Sequence, residues 1–401
     1  MKKTFKLIIF SILFGLPIMM TAQVTVSAYI LDSETRKPIE WASVVTSTET
    51  TITNSEGVFT LKTTDTNGSI KFSHVNYIEQ NINIRQLSDT IFLKSKVYEL
   101  ATVYVLPQSV VIRDLKAVWN KYDKIFSKMR TRDIPNKTFY YRQLTQNDDM
   151  YTEYMECFFT ARTTVGVRSL FLQNGRFASI KNDSIYSFTD FYDLSRIHPF
   201  TEKRTAAERD IIPFLTKDFE KYYDVRLDHV ISPDNENEIK VYSFTPGPEM
   251  KKVYGIIISG LLYVRTKDSS IVRMDANAQD IGVIGSLNLA DETYYFTVTY
   301  RDGTESYPLV ESVRCEAEIV YQRNEQVHQI NVHSLLFATD LPVESGGKQM
   351  KDGDFLLKEV SESEYNQKFW DDNQFIQRTS IEQRVVDEFN RQGYFGTMKF
   401  D

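Results

Sequence analysis

Cysteine is scarce in this sequence of 401 residues, which contains only Cys157 and Cys315. The two are far apart in the chain, so a redox-active pair of neighbouring cysteines is excluded. Each cysteine falls on the apolar side of a predicted strand, where a buried free thiol behaves as a small hydrophobic group. In an oxidising compartment the two would also be able to pair across a long loop. The sequence leaves the free state and the paired state open.

Histidine is also scarce, and the spacing of the five histidines excludes the familiar zinc peptidase sites. No histidine is followed by glutamate three residues later, and none belongs to a His-Glu-x-x-His motif. His328 and His333 are an odd number of residues apart, which places them on opposite sides of a predicted strand. Asp193, Ser195 and His198 are too close in sequence for a catalytic triad, whose members converge from different elements. We therefore expect no metal site, no cofactor and no catalytic residues.

Positive charge is in deficit, with 47 Lys and Arg against 54 Asp and Glu and a net charge of −7. Nucleic acid and anionic lipid both require a basic surface, so this balance argues against either as a partner. Glycine and proline are few, at 16 and 11 residues, whereas aromatic residues make up 13% of the chain. This composition favours ordered β structure over disorder, and the length suits two or three domains.

Long apolar runs are absent except at the N-terminus, which has the pattern of a signal peptide over residues 1–22. Lys2, Lys3 and Lys6 precede an apolar segment over residues 7–20, and small residues follow it. We predict cleavage between Ala22 and Gln23. No cysteine follows the apolar segment, so a lipoprotein is not expected. The protein is predicted to be exported and to be periplasmic or associated with the outer membrane.

Short strand patterns separated by turns recur over residues 24–106, which predicts a β-sandwich. The order of strands and turns resembles the carboxypeptidase regulatory-like (transthyretin-like) domain of Bacteroidetes envelope proteins. That resemblance implies an accessory or binding role without chemistry of its own. The residues that carry it are Tyr29-Ile30-Leu31-Asp32, Lys37-Pro38-Ile39-Glu40-Trp41-Ala42-Ser43-Val44, Thr53-Asn54-Ser55-Glu56-Gly57-Val58-Phe59-Thr60-Leu61 and Leu100-Ala101-Thr102-Val103-Tyr104-Val105.

A helix pattern over residues 112–129 and a series of long strands follow, so residues 107–340 are predicted to form a curled antiparallel sheet around a helix, a half-barrel. This region resembles a domain of unknown function that follows the regulatory-like domain in Bacteroidetes proteins, and its layout is similar to the periplasmic lipoprotein-carrier fold. The motifs are Tyr140-Tyr141-Arg142-Gln143, Val241-Tyr242-Ser243-Phe244-Thr245-Pro246, Gly260-Leu261-Leu262-Tyr263-Val264 and Ser270-Ile271-Val272-Arg273.

The remaining residues, 341–401, are predicted to form a short helical tail. Thr379 or Ser380 is expected to cap a helix over residues 381–391, with Glu382 or Gln383 at the distance of a capping box and Gly393 as the stop. The overall prediction is a mainly β protein with a sandwich, a half-barrel and this tail.

Five aromatic residues between positions 186 and 200 form a candidate binding surface, because exposed rings stack on sugars or contact acyl chains. The alternative is that these rings plug the open end of the sheet. Paired acidic residues also occur, at Asp148-Asp149, at Glu316 with Glu318 and at Asp371-Asp372, but nothing in the sequence selects a pair for hydrolysis. The candidate ligand-binding residues are Tyr186, Phe188, Phe191, Tyr192 and Phe200.

Three functions are consistent with these features. The leading hypothesis is a non-enzymatic envelope accessory protein, in which the sandwich contacts a protein and the curved sheet binds an apolar ligand or a partner. The expected partner is an outer-membrane protein, or a lipid or other apolar molecule, and the oligomeric state is left open. The alternatives are an envelope hydrolase acting on peptide or glycan, and a carbohydrate-binding accessory of a nutrient-uptake system. A cleft with two convergent carboxylates and a perturbed pKa would favour the hydrolase.

Overall fold

The structure is a computed structural model. It describes residues 24–96, 98–100, 106–128, 136–163, 166–180, 191–192, 194–199, 214–232, 237–249, 258–279, 288–301, 309–323, 325–341, 343, 346–351, 354–362, 366–372 and 377–395. The signal peptide expected over residues 1–22 and its cleavage site at Ala22 and Gln23 lie outside this range. The described chain is mainly β, as the sequence predicts.

Two small sheets form the N-terminal module, defined here as residues 24–96. The first sheet contains β1 (Val24–Asp32), β4 (Val58–Thr63) and β7 (Thr90–Leu93), in the order β4-β1-β7. The second contains β2 (Ser43–Val45), β3 (Thr50–Ile52), β5 (Ser69–His74) and β6 (Tyr77–Asn83), in the order β3-β2-β5-β6. Because side chains alternate along a strand, both sheets direct one row of apolar residues into a shared core that includes Ile30, Phe59 and Phe72.

The turn between β3 and β4 forms as the sequence predicts. The Asn54 side-chain oxygen accepts hydrogen bonds from the backbone N–H groups of Glu56, at 3.0 Å, and Val58, at 2.9 Å. Gly57 has a φ of +72°, and a Cβ there would lie 2.7 Å from the carbonyl oxygen of Ile30. Both the backbone angle and the space therefore require glycine at this position.

A twelve-stranded antiparallel sheet, called here the long sheet, makes up most of the rest. Its order is β19-β11-β10-β9-β18-β17-β16-β15-β14-β13-β12-β8. Consecutive strands pair through hairpins over most of this order, so the chain forms a meander. The strands are β8 (Tyr98–Leu100), β9 (Asn136–Asn147), β10 (Met150–Thr163), β11 (Val167–Ser179), β12 (Tyr223–Ile231), β13 (Ile239–Pro246), β14 (Ile258–Arg265), β15 (Ser270–Gln279), β16 (Asn288–Arg301), β17 (Leu309–Arg323), β18 (Gln326–Thr339) and β19 (Lys348–Gln349).

Strand β8 joins the long sheet earlier in the chain than the sequence suggests. It pairs with β12 through the register Val230↔Glu99. The sandwich is predicted to extend to residue 106, whereas residues 98–100 already pair with the long sheet. Residues 101–105, which the sequence predicts as a closing strand, lie outside the described residues.

Helix α1 (Gln108–Lys128) covers one face of the long sheet. It begins directly after Pro107, and its buried stripe contains Leu115, Val118 and Tyr122 at the spacing that the sequence predicts. The Tyr122 hydroxyl accepts a hydrogen bond from the backbone N–H of Ile271, at 3.1 Å, so the helix is also fixed by a polar contact. Among the described helices, none combines the length and the apolar character needed to cross a membrane.

The C-terminal tail packs on both faces of the long sheet: its first helix joins the core under α1, and its other two helices cover the opposite face. It contains α2 (Leu356–Glu362), α3 (Gln367–Asp372) and α4 (Ser380–Gln392). The predicted capping box is confirmed: the Thr379 side chain accepts from the Glu382 N–H at 3.1 Å, and the Glu382 carboxylate accepts from the Thr379 N–H at 2.7 Å. Gly393 ends the helix with a left-handed φ of 68°. Since α1 and α2 lie on one face and α3 and α4 on the other, the central strands are buried on both sides.

The two cysteines are free and buried in the core under α1. Burial raises the pKa of the Cys315 thiol well above its usual value, with a further contribution from the charge of Glu316.

We expect no reaction of either thiol with Ellman's reagent in the native protein over one hour, and two thiols per chain in guanidinium chloride. A disulfide would instead give no thiol in denaturant without a reductant.

Candidate binding cleft

An open cleft of about 1160 Å³ lies between the N-terminal module and the long sheet. The N-terminal module contributes the hairpin formed by β2 and β3, together with the ends of β5 and β6. The long sheet contributes residues of β13 to β17. Most of the lining residues are polar or charged, and the hydroxyl-bearing members are Ser43, Thr46, Ser47, Thr48, Thr50, Ser73, Ser232, Thr297, Thr299 and Tyr300.

Specific contacts hold the two walls of the cleft in place. The Ser43 hydroxyl donates to the Glu311 carboxylate at 2.6 Å in a buried hydrogen bond. The Arg314 guanidinium lies 4.6 Å from the centre of the Trp41 ring, and its Nη1 atom is 3.6 Å from Glu40. Ile52 of β3 packs in a cluster with aromatic residues of the long sheet and the tail. The walls are therefore fixed by hydrogen bonding, a cation–π contact and apolar packing.

A first group of residues in the cleft, called here the cationic group, contains two basic side chains and a neutral histidine. His74, Lys96 and Arg273 all line the cleft. Burial and the positive charges of Arg273 and Lys96 together lower the pKa of His74 to about 3, with burial the largest cause. Burial also lowers the pKa of Lys96, whereas the carboxylate of Glu79 opposes that shift. Lys96 Nζ donates to the backbone carbonyl of Val75, the residue after His74. The charge of Arg273 also acts on His74, so the three side chains lie near one another.

A second group of charged residues surrounds Asp340. The Asp340 carboxylate lies 3.4 Å from Arg301 Nη2 and 3.7 Å from Lys137 Nζ. Burial raises the pKa of Glu49, and the negative charge of Asp340 adds to this shift. The cleft thus contains one carboxyl group with a raised pKa beside one carboxylate that lies close to two cations.

The aromatic cluster singled out in the sequence lies only partly in the described residues. Phe191 and Tyr192 are buried in the core under α1, where the Phe191 ring is 6.1 Å from the ring of Tyr294. The Tyr192 hydroxyl donates to the backbone carbonyl of Asp354 at 3.1 Å. Neither residue lines the cleft. Tyr186, Phe188 and Phe200 lie outside the described residues.

The histidines and paired acids of the sequence analysis are not brought together. His328 lies 2.9 Å from Asp148, and His333 lies 3.4 Å from Glu316. The pKa of Glu316 is lowered to about 2. The hydrogen bond from His333 and the charge of Arg314 lower it, whereas burial opposes them. In the part of the chain that the structure describes, no three His, Cys, Asp or Glu side chains are placed to hold a metal ion.

A buried ionic cluster that was not predicted from the sequence, called here the tail junction, consists of Tyr140, Tyr154, Glu156, Arg176 and Arg378. Glu156 is 1% exposed. Its carboxylate accepts from Arg176 Nε at 2.7 Å and from Arg378 Nη2 at 2.8 Å. The hydroxyls of Tyr140 and Tyr154 donate to it at 2.5 and 2.6 Å. Burial opposes ionisation, but the two guanidinium groups and the hydroxyls hold the pKa of Glu156 well below its usual value.

The tail junction also fixes the N-terminal module to the tail. The Asn54 amide donates to the Arg378 carbonyl at 3.2 Å, and Glu56 accepts from the Ser380 N–H at 3.1 Å. Thr60 donates to the Gln377 side chain at 2.8 Å. The N-terminal module, the long sheet and the tail therefore meet at one place. A sequence signal for it is Glu156, a carboxylate between the apolar residues Met155 and Cys157 of β10.

Comparison with known proteins gives two distant structural neighbours. A LolA superfamily protein from Nitrosomonas europaea is 12% identical, with 57% of this chain and 94% of that chain covered and a TM-score of 0.21. A membrane-associated protein of unknown function from Bacteroides fragilis is 9% identical, with 79% and 97% covered and a TM-score of 0.15. Neither a protein-family model nor a curated protein matches the chain. These similarities are too low to carry a functional argument.

Proposed function

We propose that this protein is a non-enzymatic accessory protein of the bacterial cell envelope, and that it binds a ligand or partner in the cleft. The observation that carries the proposal is the cleft itself, which is large enough for a small molecule or a peptide segment. Clefts between structural units are common binding sites because two walls surround a ligand better than one. The contacts of Ser43 with Glu311 and of Arg314 with Trp41 keep this site preformed.

The envelope location rests on the expected signal peptide and on the proposed relationship of the N-terminal module to the regulatory-like domain. Two sheets that share one core are what a transthyretin-like sandwich requires. A helix packed on a long antiparallel sheet is likewise what a half-barrel requires. We also propose that the N-terminal module contacts a protein, for which the exposed strand β6 provides an edge.

An apolar ligand, as the sequence suggests, would have to bind either in the cleft or on the face of the long sheet that α1 covers. Most residues that line the cleft are polar or charged, so it suits a ligand that carries polar groups. A wholly apolar molecule would fit the face that α1 covers. In the described residues that face is filled, because Leu115, Tyr122 and Phe214 are all fully buried there. An apolar ligand would therefore have to displace α1. For this reason we place the proposed binding site in the cleft.

Native mass spectrometry of the protein purified gently from its own envelope tests this proposal. We expect a bound molecule or partner chain in the wild-type protein and at least a tenfold lower occupancy in Thr297→Trp, because the larger side chain fills the cleft. Thr293→Trp is the matched control, since Thr293 lies on the same strand and the same side of it but outside the cleft. Equal occupancy in both variants would contradict the proposal, and a bound lipid retained in both would point to the α1 face.

A second candidate function is an envelope hydrolase acting on peptide or glycan. It is favoured by the Glu49 carboxyl group. Burial and the charge of Asp340 raise the pKa of this group, and a general acid requires a raised pKa. Against it, Lys137 and Arg301 both engage Asp340, which would have to act as base or nucleophile. Release of soluble fragments from purified peptidoglycan, present in the wild type and lost in Glu49→Gln, would establish this alternative. Binding without fragment release would support the accessory role.

A further inference from the structure

The cationic group in the cleft has properties that suit the recognition of an anion. Arg273 lies beneath the cleft with its guanidinium oriented by Asp275, which accepts from Arg273 Nε at 2.7 Å. Asp275 also accepts from the Thr297 hydroxyl at 3.1 Å. Among the described residues the other two guanidinium nitrogens have no hydrogen-bond partner, so they can form the paired hydrogen bonds by which arginine binds carboxylate and phosphate groups.

Lys96 supplies a second positive charge. Its ammonium group donates to the backbone carbonyl of Val75 at 3.0 Å, which uses one of its three N–H donors. Within the described residues Lys96 forms no ion pair with a carboxylate, and the nearby Glu79 pairs with Lys71 at 2.9 Å instead. A half-buried ammonium group without a counter-ion is unfavourable, and an anionic ligand would compensate it.

His74 adds a hydrogen-bond donor near these two cations. Its Nδ1 atom accepts from the backbone N–H of Asn76 at 3.2 Å, so the neutral ring carries its proton on Nε2. The positive charges of Arg273 and Lys96 act on this ring, and the Tyr77 ring packs against it with centroids 5.3 Å apart. A neutral imidazole held in this way donates to an anion without adding a third repelling charge.

We propose that His74, Lys96 and Arg273 form a subsite for an anionic group, a carboxylate, phosphate or sulfate, on a hydroxyl-rich ligand such as an acidic saccharide. The hydroxyls along the rest of the cleft, among them Thr48, Ser73 and Thr299, supply hydrogen bonds of the kind that such a ligand uses. This inference rests on the proposed function, because it names the chemistry of the ligand that the same cleft would bind.

Calorimetric titration of the full-length mature protein with trigalacturonate, inorganic phosphate and sulfate tests the subsite, with neutral trigalactose as the uncharged comparison. We expect at least one anion to bind, trigalactose to bind at least tenfold more weakly than trigalacturonate if that is the anion bound, and affinity to fall as the salt concentration rises. Lys96→Met and Arg273→Gln should each weaken anion binding about tenfold, the effect of losing one charged hydrogen bond.

Lys94→Met is the matched control, because Lys94 is exposed, lies two residues from Lys96 and does not line the cleft. Thermal unfolding of each variant confirms that it is folded. The inference is overturned if none of the three anions binds, or if Lys96→Met and Lys94→Met bind equally. If the native protein nevertheless carries a neutral ligand that Thr297→Trp removes, the cleft remains the binding site and only the anionic subsite fails.

Discussion

Replacement of Glu156 by alanine is expected to lower the free energy of unfolding by about 3–5 kcal/mol, the usual cost of leaving buried charges without their partner. Arg176 and Arg378 would both lose their counter-ion, and Arg176 is only 4% exposed. The hydroxyls of Tyr140 and Tyr154 would lose their acceptor as well. Urea unfolding followed by circular dichroism measures the change.

Glu316→Ala is the matched control for this prediction. Glu316 also lies on a long strand and contacts an arginine two residues away, but its side chain is 30% exposed. Its loss should cost about 0–1 kcal/mol, as is usual for ion pairs near the surface. A similar small effect for Glu156→Ala would show that the tail junction contributes little to the stability of the fold.

The buried ion pairs of Glu156 also make the stability of the fold depend on pH. The pKa of Glu156 is lower in the folded protein than its unfolded value of 4.5. A lowered pKa means that the unfolded chain takes up the proton first, so the stabilisation is complete above about pH 4.5 and is lost as the pH falls below that value. The wild-type protein should therefore lose stability in this range more steeply than Glu156→Ala does.

Replacement of Trp370 by alanine is expected to cost about 3–5 kcal/mol, the usual effect of removing a large buried aromatic side chain. Trp370 is 3% exposed, and its ring centre lies 5.6 Å from that of Phe158. The Arg176 guanidinium lies 4.9 Å from the Trp370 ring, so the substitution also removes a cation–π contact. Since Trp370 anchors α3, its loss should expose the tail to proteases.

Urea unfolding and limited trypsin digestion test this second prediction together. Phe355→Ala is the control, because Phe355 belongs to the same tail but is 59% exposed, and its loss should change stability by less than about 0.5 kcal/mol. We expect rapid cleavage within residues 341–401 in Trp370→Ala alone. Equal protease resistance in both variants would mean that the tail does not depend on this anchor.

Periodic patterns made several elements predictable from the sequence. Val313, Cys315 and Ala317 alternate along β17 with more exposed residues, and all three are buried as that alternation requires. Leu115 and Val118 in α1 likewise follow helical spacing and are buried. The capping box at Thr379 was readable because it depends on residues three positions apart.

Features that depend on how distant segments pack together were not predictable. On β10 the sequence indicated Met155, Cys157 and Phe159 as the buried side, but Tyr154 and Glu156 on the other side are equally buried. A strand pattern reports one covered face, and it does not reveal that the tail covers the second one. The cleft is a similar case, since its lining comes from segments that are up to about 300 residues apart in the chain.

The most direct test of the cleft as the binding site is photo-crosslinking in living cells. A benzophenone amino acid is placed at Ser73, on the wall formed by the N-terminal module, or at Thr297, on the wall formed by the long sheet. The same amino acid at Thr293, outside the cleft, is the control. We predict that both cleft positions give the same adduct and that Thr293 gives none. An adduct at Thr293 alone, or no adduct at either cleft position, would contradict the proposed function.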